Sequence, residues 1–142
     1  MMEELIVKDK IFIEAPVAKV WEVLVAPKFI RQWDALPEDF ADYYLEIGRE
    51  ISWSGNSRMI VTEMLPHEKL KLSLYVAKWE LPPSSYDIAY TYQLSESEGF
   101  TVLTIEIGDF GQLANGADYY NESVIFAERS LTKIKSLAEN RA

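Results

Sequence analysis

No cysteine occurs among the 142 residues, which excludes disulfides, thiolate metal sites and cysteine nucleophiles together. Histidine occurs once, as His67 in a Pro66-His67-Glu68-Lys69 turn, where an exposed turn residue is the ordinary finding and a catalytic base the rare one. With one imidazole and no thiolate, only an all-oxygen metal site remains, and the acids show no calcium-loop spacing. A glycine-rich phosphate loop is also missing, since Ser54-Gly55-Asn56-Ser57 carries a single glycine. No cofactor is therefore expected. Positive charge is scarce: 14 Lys and Arg stand against 23 Asp and Glu, a net charge of −9, whose field repels phosphates and anionic headgroups. No apolar run approaches the ~20 residues of a membrane span. Neither nucleic acid nor membrane insertion is expected. Met1-Met2-Glu3-Glu4 carries acid where a secretory signal needs base, so a cytoplasmic location is expected.

What is present suits one folded domain over residues 1–142, with hydrophobic residues at 49% and charged residues at 26%, enough for a core without long disordered tails. From Glu4 to Glu14, Val7, Ile11 and Ile13 alternate with Lys8, Lys10 and Phe12, as in a half-buried strand. Pro16 suits the first position of a helix to Val25, with Val17, Val20, Trp21 and Leu24 at helical spacing. Pro27 starts a second helix carrying Phe29, Ile30 and Trp33, and the aperiodic stretch from Asp34 to Asp42 reads as a loop.

Five strand-like segments follow: Gly48 to Ser54, Arg58 to Leu65, Leu70 to Lys78, Tyr86 to Leu94 and Thr101 to Gly108. Their connections are short and rich in Gly, Pro, Asn and Ser, which predicts an antiparallel meander, since parallel crossovers need a dozen residues or more. Gly116 to Asn140 is the longest periodic segment, with Tyr120, Val124, Ala127, Leu131, Ile134 and Ala138 on one stripe. At ~1.5 Å per residue that helix can cross a small sheet. The fold class is thus α+β: a curved antiparallel six-stranded sheet covered by a long C-terminal helix, with two short helices after strand 1.

Ile13-Glu14-Ala15-Pro16-Val17-Ala18-Lys19-Val20-Trp21 resembles the opening "I-x-A-P-x-x-x-V-W" motif of the START-related SRPBCC superfamily. More narrowly, the chain resembles the branch named after the activator of heat-shock protein 90 ATPase. Pro27 with Trp33, Val61-Thr62-Glu63-Met64-Leu65-Pro66 leading to Leu70, Tyr90-Thr91-Tyr92-Gln93-Leu94, and Thr101-Val102-Leu103-Thr104-Ile105 keep that branch's order. Leu131, Ile134-Lys135 and Glu139 match its closing "W-x-x-x-L-x-x-L-K" helix. The resemblance covers nearly the whole chain and implies a helix-grip fold, with the sheet wrapped around the last helix and a cavity between them. Two departures fall where that cavity would be lined. Ala127 stands in place of the closing tryptophan, and Trp33-Asp34 stands in place of a tandem tryptophan. A fold of this kind carries many activities and names no reaction.

Aromatic residues make up 13% of the chain, and any one of them is ordinarily core. As a group, Trp33, Trp53, Tyr75, Tyr90, Tyr92 and Tyr120 suit a pocket, because tyrosine joins apolar area to a hydroxyl that orients a ligand. Ala127 joins this expected lining, its small side chain enlarging the space. Arg49 or Arg58 would anchor a ligand carboxylate if either pointed inward. Asp34, Asp39 and Asp42 read as solvated acids. Glu63 and Glu106 are candidates for a buried general base, and both are expected to face solvent. The leading reading is non-enzymatic binding of a small hydrophobic or aromatic molecule between sheet and helix. The alternatives are a chaperone-associated protein-interaction module and a cyclase- or aromatase-like enzyme. A small hydrophobic molecule and, under the second reading, a protein are the expected partners. A homodimer is compatible with both.

Overall fold

A computed structural model of the chain describes residues 4–34, 36–53, 57–76, 79, 81–82 and 85–140. Strand β1 (Val7–Ile13) buries Val7 and Ile13 and exposes Lys8, Lys10 and Phe12, as its alternation dictates. Helix α1 (Val17–Val25) buries Val20, Trp21, Val23, Leu24 and Val25. Pro16 precedes α1 with extended backbone instead of opening it, and its carbonyl accepts from the N–H groups of Lys19 and Val20. Only Ala26 separates α1 from α2 (Pro27–Trp33), where Pro27 does hold the first helical turn.

The remaining strands are β2 (Glu50–Trp53), β3 (Ser57–Leu65), β4 (Lys69–Val76), β5 (Ala89–Ser97) and β6 (Phe100–Gly108). They form one sheet in the order β1-β6-β5-β4-β3-β2, and every neighbouring pair is antiparallel. A register shift between Val61 and Glu63 inserts Thr62 into β3, which turns Met64 to the same face as Val61. Ser54-Gly55-Asn56 and Lys78, placed by the sequence in a turn and at a strand end, lie outside the described residues. Strand β5 starts at Ala89 instead of the expected Tyr86 and runs on to Ser97. The physical reason is local: the Gln112 side chain accepts from the Asp87 N–H (2.9 Å) and donates to the Asp87 carbonyl (3.0 Å), so that residue has no ladder bonds left to give.

A 3-10 turn (Phe110–Gln112) leads into α3 (Gly116–Ala138). Of the expected stripe, Ala127, Leu131, Ile134 and Ala138 are buried, while Tyr120 and Val124 are half-buried. The face is rotated toward Ser123 and Ser130, both buried, whose small side chains let the helix lie close. Gly116 is fixed for the same reason. A Cβ there would stand 1.9 Å from the Phe110 carbonyl oxygen.

The buried apolar residues form one cluster on the concave side of the sheet, with Ile13, Leu70, Leu103, Ile105 and Ile107 among its most enclosed members. Helix α3 lies chiefly against β1, with α1, α2, the 3-10 turn and β6 as its other neighbours. The β2 to β4 end of the concave face is left to α2 and to Asp34, Leu36 and Leu45, and Leu45 is tied back by its N–H on the Val25 carbonyl (2.9 Å). Among the described residues no helix is long and apolar enough to cross a membrane.

Candidate functional site

Where α3 leaves the sheet uncovered, two connected spaces open. The inner one is a cavity of about 30 Å³, walled by Leu24, Ile30 and Trp33 from the helices and by Ile51, Leu70, Leu72 and Tyr92 from the strands. Its outer neighbour is a groove of about 410 Å³ lined by Asp34, Trp53, Ser57, Met59, Leu74, Tyr90 and Phe126. Asp34, Trp53, Met59 and Tyr90 belong to both. A 30 Å³ cavity is about one water in size, so anything larger occupies the groove.

The alternation of three strands turns these side chains inward: Ile51 and Trp53 on β2, Ser57 and Met59 on β3, Leu70, Leu72 and Leu74 on β4. Tyr90 and Tyr92 share the inner face of β5 with Leu94. Trp33 closes α2 and donates its indole N–H to the Val23 carbonyl (2.9 Å). Its ring meets Tyr92 edge-on at 6.0 Å. Asp34 follows at the helix C-cap, held by its N–H on the Ile30 carbonyl (2.8 Å), which sends its side chain toward the strands. Phe126 enters from α3 and packs edge-to-face on Tyr90 at 5.6 Å.

The two phenols are electrostatically linked to the acid. Burial pushes the Tyr90 hydroxyl up to about 12, and the Asp34 charge adds to this, while a hydrogen bond with Ser123 acts in the opposite direction. Tyr92 is raised well above the ordinary tyrosine value, first by burial, then by Asp34 and then by Tyr90. Both hydroxyls therefore stay neutral across the physiological range. The site offers apolar and aromatic walls, two neutral hydroxyls and a carboxylate at the entrance.

Of the residues expected here, Trp33, Trp53, Tyr90 and Tyr92 come together. Tyr75 lies elsewhere, in an aromatic assembly with Trp79 (5.5 Å) and Tyr86 (6.2 Å), where its hydroxyl donates to the Leu81 carbonyl (2.7 Å). Tyr120 is half-buried against the core and lines neither space. Ala127 is fully buried in the helix packing and also lines neither. Arg49 stacks on Phe40 (3.8 Å) and Tyr43 (3.6 Å) and donates to the Tyr43 carbonyl, so it organises a loop. Arg58 is exposed beside Glu50 (3.9 Å). Glu63 pairs with Lys69 (3.3 Å) and Glu106 with Lys8 (3.8 Å), both away from the cavity and the groove. His67 is exposed in its turn. Asp42 pairs with Arg31 (3.3 Å) and Asp39 is exposed. Asp34 departs from the solvated reading: it is half-buried and lines the site. Ser57, Met59, Leu74 and Phe126 were not expected in the lining. Period-two alternation carried the signal for the first three. No described group of three or more His, Cys, Asp or Glu could hold a metal ion.

Comparison with known proteins places this geometry among relatives. The family described as Activator of Hsp90 ATPase homolog 1-like protein matches residues 14–139. No curated protein sequence matches the chain. Among solved structures, the chain is similar to the solution structure of the Aha1 dimer from Colwellia psychrerythraea, at 17% identity and a TM-score of 0.72, covering 94% of this chain and 96% of that one. Protein MLL2253 from Mesorhizobium loti is similar at 19% identity and a TM-score of 0.75, over 96% and 98%. CalU16 from Micromonospora echinospora is similar at 18% identity and a TM-score of 0.69, over 97% and 86%. At such identities the likeness is one of fold.

Proposed function

The chain belongs to the Activator of Hsp90 ATPase homolog 1-like family, and on that premise we propose that it binds a small hydrophobic or aromatic molecule, without turning it over, in the groove beside Trp53 and Phe126. The observation that carries the reading is an open, mainly apolar recess of about 410 Å³ with few polar groups, two of whose residues are in contact as an aromatic pair. Two other surface depressions of similar size have polar walls, with Asp39, Arg49 and Glu50 in one and Lys71, Asp87, Glu106 and Asp109 in the other. Tyrosines held protonated are weak acids and weak bases near neutrality, which supports binding over proton transfer. Titration with the neutral fluorescent probe N-phenyl-1-naphthylamine tests this. Trp53→Ala and Phe126→Ala should each weaken the probe by roughly tenfold, about 1.4 kcal/mol. Unchanged affinity in both, with loss in Tyr120→Ala, would move the site elsewhere.

A second reading has its own observation. Phe12 and Phe100 stand 49% and 36% exposed on the convex face, their ring centroids 5.0 Å apart. We propose a second copy of this chain as what covers them, because the two rings are neighbouring exposed aromatics on one sheet face and the Colwellia psychrerythraea relative is a dimer. Sedimentation velocity should show a dimer that Phe12→Ser dissociates. A monomer at every concentration contradicts it.

A further inference from the structure

The groove and the inner cavity meet at a boundary that one flexible side chain occupies. A row of paired residues crosses it: Ile51 of β2 lies opposite Met59 of β3, and Met59 lies opposite Leu74 of β4. Ile51 lines the inner cavity alone, Leu74 lines the groove alone, and Met59 borders both. The other described residues at the boundary are Asp34, Trp53 and Tyr90. Tyr90 is held by the Phe126 ring at 5.6 Å and by its hydrogen bond with Ser123, and Asp34 by the backbone that caps α2. Met59 differs in kind, because methionine is unbranched, turns on three bonds and adapts to the shape of what it meets.

We propose that Met59 sets the specificity of the groove: it yields to a short unbranched alkyl chain carried on an aromatic body, so that the ring lies against Trp53, Leu74 and Phe126 and the chain enters the inner cavity. This rests on the binding reading above and narrows its ligand class. The inner walls favour an apolar chain. Leu24, Ile30, Ile51, Leu70 and Leu72 present hydrocarbon there, and the Trp33 indole N–H is engaged by the Val23 carbonyl (2.9 Å). A water in such a space needs about two to four polar partners, whereas an apolar group needs none. Ser57 lines the groove and not the cavity, so a hydroxyl on the far side of the ligand ring meets a hydrogen-bonding partner on the outer side.

Volume sets the length of the chain. The inner cavity of about 30 Å³ holds about one carbon-sized group. Rotation of the Met59 thioether toward the groove frees room for about two more, the space of its sulfur and terminal methyl. Beyond that the walls do not give, since Leu24, Ile51, Leu70 and Leu72 are each no more than 5% exposed in a close-packed core. A straight chain of about three carbons therefore fits, and a branched one is stopped at the boundary.

Competition of para-substituted phenols against bound N-phenyl-1-naphthylamine tests this. From phenol through 4-methyl-, 4-ethyl- and 4-propylphenol affinity should rise about fourfold per carbon, and from there to 4-pentyl- and 4-heptylphenol it should change by less than about twofold in all. 4-tert-Butylphenol carries more carbon than the propyl compound and should bind more weakly. In Met59→Ala the rise should continue to 4-pentylphenol. In Met59→Leu, which conserves volume but adds a branch, it should stop at 4-methylphenol. A readout in the unaltered protein is the Met59 methyl signal in a carbon-13 spectrum, which 4-propylphenol should move further than phenol does. A flat series, an uninterrupted rise through 4-heptylphenol, or a tert-butyl compound that outbinds the propyl one would overturn the chain-length selection while the bound probe upheld the groove. A profile identical in both Met59 variants and the unaltered protein, or a Met59 methyl signal moved equally by phenol and 4-propylphenol, would overturn the assignment to Met59. Failure of the probe itself to bind would remove the reading beneath it.

Discussion

Asp34 and the two tyrosines facing it make a titration prediction. A hydroxyl whose folded value is raised keeps its proton after the unfolded chain has lost it, so its contribution to stability is constant below about pH 10 and declines as pH rises toward the folded value, about 12 for Tyr90 and well above the ordinary value for Tyr92. Absorbance at 295 nm should show tyrosine ionisation continuing above the ordinary tyrosine range. Tyr90→Phe should remove part of that late signal, and its absence from the unaltered protein would contradict the site's electrostatics. Leu131, 2% exposed in the centre of α3, predicts a different effect. Its replacement by Ala should cost about 2 to 5 kcal/mol by chemical denaturation, and a change near that of a surface substitution, below about 0.5 kcal/mol, would place it outside the core. At this scale the sequence was informative about residue type and less so about address. Trp33, Trp53, Tyr90 and Tyr92 reach the site because strand alternation and a helix end put them there. Tyr75 falls on the opposite face of β4 from Leu72 and Leu74, an assignment that depends on register and not on composition. An acid in an aperiodic stretch is ordinarily solvated, but the backbone that caps α2 turns Asp34 inward.

The elements themselves were legible wherever a period ran long enough. Strands β3, β4 and β6 and helix α3 match their expected spans to within a residue or two at their described ends, since each alternates or repeats over seven residues or more. Short β2 and the start of β5 depend on tertiary partners, such as the Gln112 side chain on Asp87, that no local pattern encodes. The orientation of α3 was rotated for a related reason: Ser123 and Ser130 read as polar but serve as small residues under close packing. Two substitutions test that packing. Gly116→Ala forces a methyl onto the Phe110 carbonyl, so it should destabilise by about 1 to 3 kcal/mol or more, in contrast to an exposed neighbour such as Ala117. Ala127→Trp should fail to fold or lose most of its stability, because Ala127 is fully enclosed and borders neither cavity nor groove. A well-folded Ala127→Trp protein with weakened probe binding would instead restore the sequence-based expectation of a pocket beneath that residue.

For the molecule as a whole, the resemblance in the sequence reached the family and the sheet-and-helix plan, both of which hold. It set the space between sheet and α3, whereas α3 covers the β1 side and the space lies under α2 and over β2 to β5, with Phe126 alone entering from α3. That displacement follows from how far a 23-residue helix can cover a six-stranded sheet whose order brings β1 next to β6. The four tryptophans sample these regions separately: Trp53 in the groove, Trp33 behind it, Trp21 beside His67 and Trp79 among Tyr75, Tyr86 and Tyr119. Ligand entry at the groove, as proposed, is read out by the four indole N–H signals in a nitrogen-15 spectrum during titration with 1-naphthylmethanol. The largest shift is expected at Trp53, a smaller one at Trp33, and none at Trp21 or Trp79. Movement of Trp79 or Trp21 while Trp53 stays fixed would contradict it.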